Sequence, residues 1–285
     1  MKRLFKFLII FPILALFVYV HAQEPYNLDD YKVVGNTVCI VNYSVQVIDD
    51  TVNMEHRNTN RFVLECCNNI SKFYSYNLYV YDSLYTESIN KGKQTYPSPK
   101  GICFSEEVVK YFDSNLMSVY YRMPMEDIHE YNETLPEMKW TLLAGTKEII
   151  GYSCQKAECV FRGRHWVAWY TMEIPIADGP WKFCGLPGLV LQIEDVKCHF
   201  SFVCTNVQLK EKPVILYDYH YVKSSREEVR NKLVACYSNW WDYCRRTNAD
   251  GKAYVGKRDA NGKITILEVP ENEIKVVPYN PIELE

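Results

Sequence analysis

No Gly-x-Ser-x-Gly elbow, His-Glu-x-x-His helix, Walker loop or dinucleotide fingerprint occurs anywhere in the 285 residues. Their absence excludes the enzyme classes that carry such motifs, and the sequence implies no cofactor. Histidine is scarce, six in all, and the spacing of His, Cys and acidic residues is unlike a tight zinc site. His165, Glu173, Asp178, Asp195 and His199 are the polar groups near one another in sequence that could converge, and structural roles are expected of them rather than metal ligation. Low-complexity linkers and blocks of one charge sign are also missing, so nothing argues for a split into domains. The net charge of −3 disfavours nucleic acid as a partner.

Cysteine, by contrast, is plentiful. Residues 1–22 carry Lys2, Arg3 and Lys6, an apolar run from Leu8 to Val20, and Val20-His21-Ala22 before Gln23, the tripartite design of a secretory signal peptide. The apolar run is short of the roughly 20 residues a membrane span needs, and no cysteine stands at the cleavage site for acylation. The expected mature chain, residues 23–285, is one domain, exported to the periplasm or cell envelope or secreted. Losing three cations takes its net charge to −6. All 11 cysteines lie in that part, and export predicts disulfides. Candidate local pairs are Cys154 with Cys159, Cys198 with Cys204, and Cys236 with Cys244. A cysteine nucleophile with His165 or His199 stays open, because such partners meet in the fold rather than in sequence.

Alternating apolar residues predict short strands across 32–48, 61–66, 108–112, 116–122, 138–143, 148–161, 165–170, 189–193, 199–207 and 214–221, separated by turn residues. Phe73 to Tyr85 favours a strand by its tyrosines, although its continuation to Asn90 is compatible with a helix. Ser225-Arg-Glu-Glu228 is a capping box, and Val229, Leu233, Cys236, Trp240 and Cys244 line one face of a helix reaching Arg246. The fold class expected is therefore mainly β (α+β): a bent antiparallel sheet or partly open barrel packed by one long C-terminal helix.

The densest local pattern lies between Trp169 and Asp195. Gly179-Pro180 and Gly185-Leu-Pro-Gly188 interrupt the ladder, since proline lacks a donor and glycine admits backbone angles closed to other residues. Two readings follow for the loop they frame. It presents Trp181, Phe183 and Leu186, with Trp169 nearby, to a ligand or membrane-protein partner; or it folds inward and plugs one open end of the sheet with the same side chains. Arg162 and Arg164 form either a grip for an anion or carboxylate or a charged turn paired to surface acids.

The hexapeptide Gly185-Leu186-Pro187-Gly188-Leu189-Val190, together with Gly151–Ala157, Phe161–Trp166, the run from Trp169 to Pro175 and the terminal Tyr279–Glu285, resembles the GLPGLI family. These are uncharacterised exported proteins of double-membraned bacteria, and Val190 departs from the Ile in the family's name. The resemblance implies an accessory to a TonB-dependent outer-membrane receptor, in uptake or envelope maintenance. Asp50-Thr-Val52 and Asp82-Ser-Leu84 also resemble protein O-glycosylation acceptors of such bacteria. By analogy with periplasmic lipoprotein-carrier and sensor folds, the sheet would hold an apolar ligand in an aromatic-lined cavity, for which 23 tyrosines and six tryptophans give ample surface. The function expected is a noncatalytic periplasmic or cell-envelope binding or accessory protein. The alternatives are a secreted, peptidase-like hydrolase and a structural envelope protein without a small ligand.

Overall fold

A computed structural model describes residues 25–48, 50–52, 54–55, 57–93, 105–258, 264–272 and 278–285. The signal-peptide expectation at residues 1–22, and Cys103, lie outside these. The elements in chain order are β1 (Tyr31–Asn36), β2 (Cys39–Val47), β3 (Asn58–Cys66), β4 (Ile70–Ser75), α1 (Tyr76–Asn90), β5 (Glu106–Tyr111), β6 (Leu116–Arg122), β7 (Ile128–Thr134), β8 (Thr141–Ile149), β9 (Tyr152–Phe161) and β10 (Arg164–Thr171). There follow β11 (Leu189–Asp195), β12 (Phe200–Gln208), β13 (Pro213–Tyr217), β14 (Tyr221–Lys223), α2 (Arg226–Ser238), α3 (Trp240–Thr247), β15 (Tyr254–Arg258) and β16 (Ile264–Glu268).

Twelve of the strands form one sheet in the order β14-β7-β6-β5-β4-β3-β2-β12-β11-β10-β9-β8. Its pairs are antiparallel except β14 with β7. Period-2 alternation decides which face is which. On β2, Cys39, Val41, Tyr43, Val45 and Val47 are buried on the inner face, with Cys39, Val41 and Tyr43 opposite Cys66, Leu64 and Phe62 of β3. Phe62 stacks on Phe73 of β4 at 5.0 Å between ring centroids. The loop between β10 and β11 touches β5, β7, β10 and β12 through its side chains, so the sheet curls around it. On the outer face, β1 and β13 form a separate ribbon whose Val214 and Leu216 pack on Ile70 and Val109.

The expected architecture needs correction. Among the described residues no closed barrel forms, since β14 and β8 each have a neighbour on one side alone. The single long C-terminal helix is also absent, because Asn239 (φ −146°, ψ 78°) breaks it into α2 and α3. The capping box at Ser225 is present, and Val229 and Cys236 are buried as the stripe requires. A continuous helix would carry Trp241 about 100° round from Trp240, off that stripe. The break resets the phase, burying Trp241 and Tyr243 and leaving Trp240 half-buried. Asn239 then caps α3 by accepting from the Asp242 N–H at 3.3 Å.

Phe73–Tyr85 resolves into both alternatives. β4 ends at Ser75, whose hydroxyl accepts the Leu78 N–H and starts α1. α1 lies on the outer face, where Tyr76 and Tyr79 pack with Ile40, Val63 and Tyr74.

The disulfide expectation is corrected as well: the ten described cysteines are all free thiols. Cys154 and Cys159 sit on the same strand, β9. Five extended residues span roughly 16 Å, more than twice the reach of a disulfide. Cys198 is exposed in a turn while Cys204 lies in the core along β12. Cys236 and Cys244 are buried on two different helices. Burial pushes Cys39 up to about 11 and Cys159 and Cys204 to about 12, which leaves these three protonated and unreactive near neutrality.

Candidate functional site

The loop framed by the hexapeptide is built around close backbone approach. A Cβ on Gly188 would lie 2.1 Å from the Thr171 carbonyl oxygen, so only glycine lets the loop's two ends meet as β10 leads out and β11 leads in. Between them Trp181 takes a left-handed backbone, φ 52°, a conformation costing about 1 to 2 kcal/mol for a non-glycine residue. What holds it there is burial. Trp181, Phe183 and Leu186 are at most 2% exposed, with Phe183 edge-on to Trp166 at 4.8 Å and Trp181 donating its indole N–H to Glu106 at 2.9 Å. The loop thus folds inward, and the concave side expected to hold a ligand is filled by the chain itself.

Two fully buried lysines stitch this plug to the sheet. Lys110 of β5 donates to the carboxylate of Asp178 and to the carbonyls of Gly179 and Phe183 at 2.9 and 3.0 Å. Lys182, inside the loop, donates to the Tyr131 hydroxyl and the Glu133 carboxylate, each at 2.8 Å, and to Glu283. Burial pulls the Lys182 ammonium down, but Tyr131 and the three carboxylates of Glu283, Glu106 and Glu133 outweigh it and keep it charged. Burial pushes the Glu106 carboxyl up to about 7 against the opposing pull of Lys182.

Arg162 and Arg164 grip the chain's own C-terminus. Arg164 donates to Asp195, to the Asn280 side chain and to the carbonyls of Pro281 and Ile282, and Arg162 pairs with Glu133. The tail is fixed further by Asn280 donating to the Ile48 carbonyl at 2.7 Å and Arg226 to Glu283 at 2.9 Å. Under it, beside α2, a second cavity of only about 50 Å³ is walled by Tyr121, Phe200, Leu233 and Tyr237. Trp169 is half-buried, packed against the edge of the core with Lys147 and Lys156 at 5.2 and 5.7 Å from its ring.

The other polar groups do not converge. His165 faces Glu158 at 2.9 Å, Glu173 accepts the Ser153 N–H, and Asp178 belongs to Lys110. Asp195 and His199 alone meet, through Arg164. Among the described residues no group of three or more His, Cys, Asp or Glu is placed to hold a metal. Thr51 lies exposed in its turn, whereas Asp82 of the second glycosylation-like triplet is buried and holds Arg122 by two hydrogen bonds.

A polar cavity lies where sequence reasoning did not look, on the outer face between the sheet, α1 and β13. It measures about 90 Å³, is partly open, and has walls of Tyr74, Tyr79, Tyr120, Tyr217 and Tyr219. Strand alternation sends Glu65, Lys72 and Glu107 outward into it while Leu64, Phe73 and Val108 point to the core. Register sets Glu65 opposite Lys72 and Glu107 opposite Tyr120. Lys72 donates to the Ile215 carbonyl at 2.9 Å, pairs with Glu107 at 3.3 Å, and sits 4.9 Å from the rings of both Tyr74 and Tyr217. Glu65 accepts from the Tyr74 hydroxyl at 3.2 Å and from Lys212 at 2.9 Å. Burial pushes the Glu107 carboxyl above its ordinary range, with Lys72 opposing. The available cue was a charged residue inside each of three strands buried on both sides.

A family model described as "Protein of unknown function (Porph_ging)" matches residues 162–192. The match runs from the arginine turn through β10 and the buried loop into β11, and so covers the hexapeptide. It does not confirm the GLPGLI name. None of the curated proteins matches the chain. Two solved structures of PNGF-II are similar to it. The one in space group P21 has a TM-score of 0.48 at 13% identity, over 79% of this chain and 35% of that one. The one in C2 has a TM-score of 0.45 at 14% identity, over 78% and 35%. This chain spans about a third of the length of each.

Proposed function

We propose that the protein is a noncatalytic binding protein of the cell envelope, an accessory to a TonB-dependent outer-membrane receptor, and that the tyrosine-walled cavity on the outer face is its ligand site. The observation that carries the reading is the cavity itself: five tyrosines and the carboxylates of Glu65 and Glu107 converge on one partly open space, the mixture of ring faces and fixed polar groups that small-molecule sites use. The ligand is therefore polar. The more apolar space beneath the C-terminal tail is smaller, about 50 Å³. Thiol chemistry has little support, since every cysteine with a resolved shift is pushed up by burial.

The test is native mass spectrometry of residues 23–285, purified gently from an oxidising periplasm, against the denatured mass of the same sample. Extra mass lost on denaturation, and lost also from a Tyr217→Ala, Glu107→Gln double variant that still folds, supports the reading. Equal native and denatured masses would count against it and favour a structural envelope protein. One observation favours a hydrolase as the second reading: a raised Glu107 carboxyl shares the cavity with a second carboxylate, an arrangement suited to proton transfer. Turnover of a peptide and ester panel, abolished by Glu107→Gln, would establish it.

A further inference from the structure

Resting on that assignment of the cavity, we infer that its ligand is a neutral sugar ring, held by its hydroxyls on Glu65 and Glu107 and by its apolar face on the tyrosines. The charges settle the class. Each cation at the cavity already faces an acid of its own: Lys72 with Glu107, Lys212 with Glu65, and Arg122 with Asp82 through two hydrogen bonds. An anionic ligand finds no unpaired cation. A cationic ligand finds the aromatic cage of Tyr74 and Tyr217 filled by the Lys72 ammonium, 4.9 Å from each ring. Burying either ion without a counter-charge costs several kcal/mol.

The capacity left over suits a neutral polyol. The hydrogen bonds of Glu65 to Tyr74 and Lys212 both fall on one carboxylate oxygen, and the Lys72 pair likewise engages one oxygen of Glu107. Each carboxylate therefore keeps a second oxygen as acceptor. Among the described residues the hydroxyls of Tyr79, Tyr217 and Tyr219 have no hydrogen-bond partner, and all three residues are half-buried, with part of each side chain reachable from solvent. Carboxylate acceptors, phenolic donors and ring faces in one space are what the vicinal hydroxyls and C–H face of a pyranose require. A volume of about 90 Å³, roughly that of three waters, with an open side takes in one edge of a single ring and leaves the rest in solvent.

The experiment is saturation-transfer NMR on residues 23–285 with glucose, galactose, mannose and N-acetylglucosamine, alongside glucosamine as the cationic analogue and galacturonate as the anionic one. The expected result is saturable binding of at least one neutral sugar, at least tenfold stronger than either charged analogue. That binding should be lost in a Tyr217→Phe, Tyr219→Phe double variant, which removes only two hydroxyls, and weakened about tenfold by Glu107→Gln. Binding of glucosamine or galacturonate with equal or greater strength overturns the sugar class and leaves the cavity as the ligand site, provided the variants abolish it. Neutral-sugar binding untouched by the variants overturns the placement. Silence from all six compounds overturns the sugar class, while retained mass in the native spectrometry described above would keep the cavity.

Discussion

Replacing Glu106 by glutamine should make the protein's stability respond to pH in a way that isolates one buried carboxyl. Glu106 is 5% exposed, accepts the Trp181 indole N–H at 2.9 Å, and lies 4.0 Å from Lys182. Burial raises its pKa from 4.5 to about 7 in the fold. A carboxyl raised in the native state favours folding fully below its unfolded pKa, and that contribution is lost as pH rises through the folded value. The window is therefore pH 4.5 to 7. A difference of two to three units at about 1.4 kcal/mol each is worth about 3 kcal/mol. Glutamine keeps an acceptor for Trp181 but cannot ionise. Measured by urea unfolding from pH 4 to 8.5, the wild-type protein should lose about 3 kcal/mol relative to Glu106→Gln across the window. The opposing shift of Glu283, held below its ordinary range by Lys182 once its burial is outweighed, is present in both proteins and largely cancels. A difference between the two that stays constant with pH would refute the reasoning.

Four further outcomes are expected. Phe183→Ala should cost about 3 to 5 kcal/mol in chemical unfolding, the range for a large buried aromatic, and a loss below 1 kcal/mol would contradict the plug. Gly188→Ala should unfold the protein or cost more than about 3 kcal/mol, since its Cβ would meet the Thr171 carbonyl; Gly92→Ala, in open space at φ 67°, should cost only about 1 kcal/mol, both read by circular-dichroism melts. Ser75→Ala should cost about 1 kcal/mol through loss of the α1 cap, detected as a shift in the urea midpoint. Of the ten described cysteines, Cys198 alone is exposed, so a thiol reagent with peptide mapping should label it first and reach the others only in denaturant.

Much of the strand content was legible because it follows local rules. The alternation Val41, Tyr43, Val45, Val47 marks β2, and the capping box at Ser225 marks the start of α2. Closure and continuity were not legible. Whether the sheet closes depends on pairings between distant segments, and among the described residues β8 and β14 are unpaired on one side for reasons no local window contains. The break at Asn239 follows from where Trp241 can find a core, a tertiary demand that overrides the four-and-three spacing of Val229, Leu233, Cys236 and Trp240. The glycines and prolines of 179–188 correctly marked a tight loop between strands, yet its direction depended on Lys110 and Glu106, some 70 residues away in sequence. Cysteine count misled because it reports compartment rather than geometry, and two thiols on one extended strand cannot meet. The outer cavity stayed hidden because Glu65, Lys72 and Glu107 read singly as ordinary charges in strands. Only the register that sets Glu65 beside Lys72 and Glu107 beside Tyr120 makes them a site.

The central claim is that ligand enters between α1, β13 and the outer face, and tyrosine-selective NMR tests it most directly. Residues 23–285 with isotope-labelled tyrosine rings would be titrated with the small-molecule fraction of the native host cells, each resonance assigned by single Tyr→Phe variants. The account predicts shifts confined to Tyr74, Tyr79, Tyr120, Tyr217 and Tyr219. Shifts at Tyr121, Tyr131, Tyr237 and Tyr279 instead, around the cavity beneath the C-terminal tail, or no shifts at all, would contradict it.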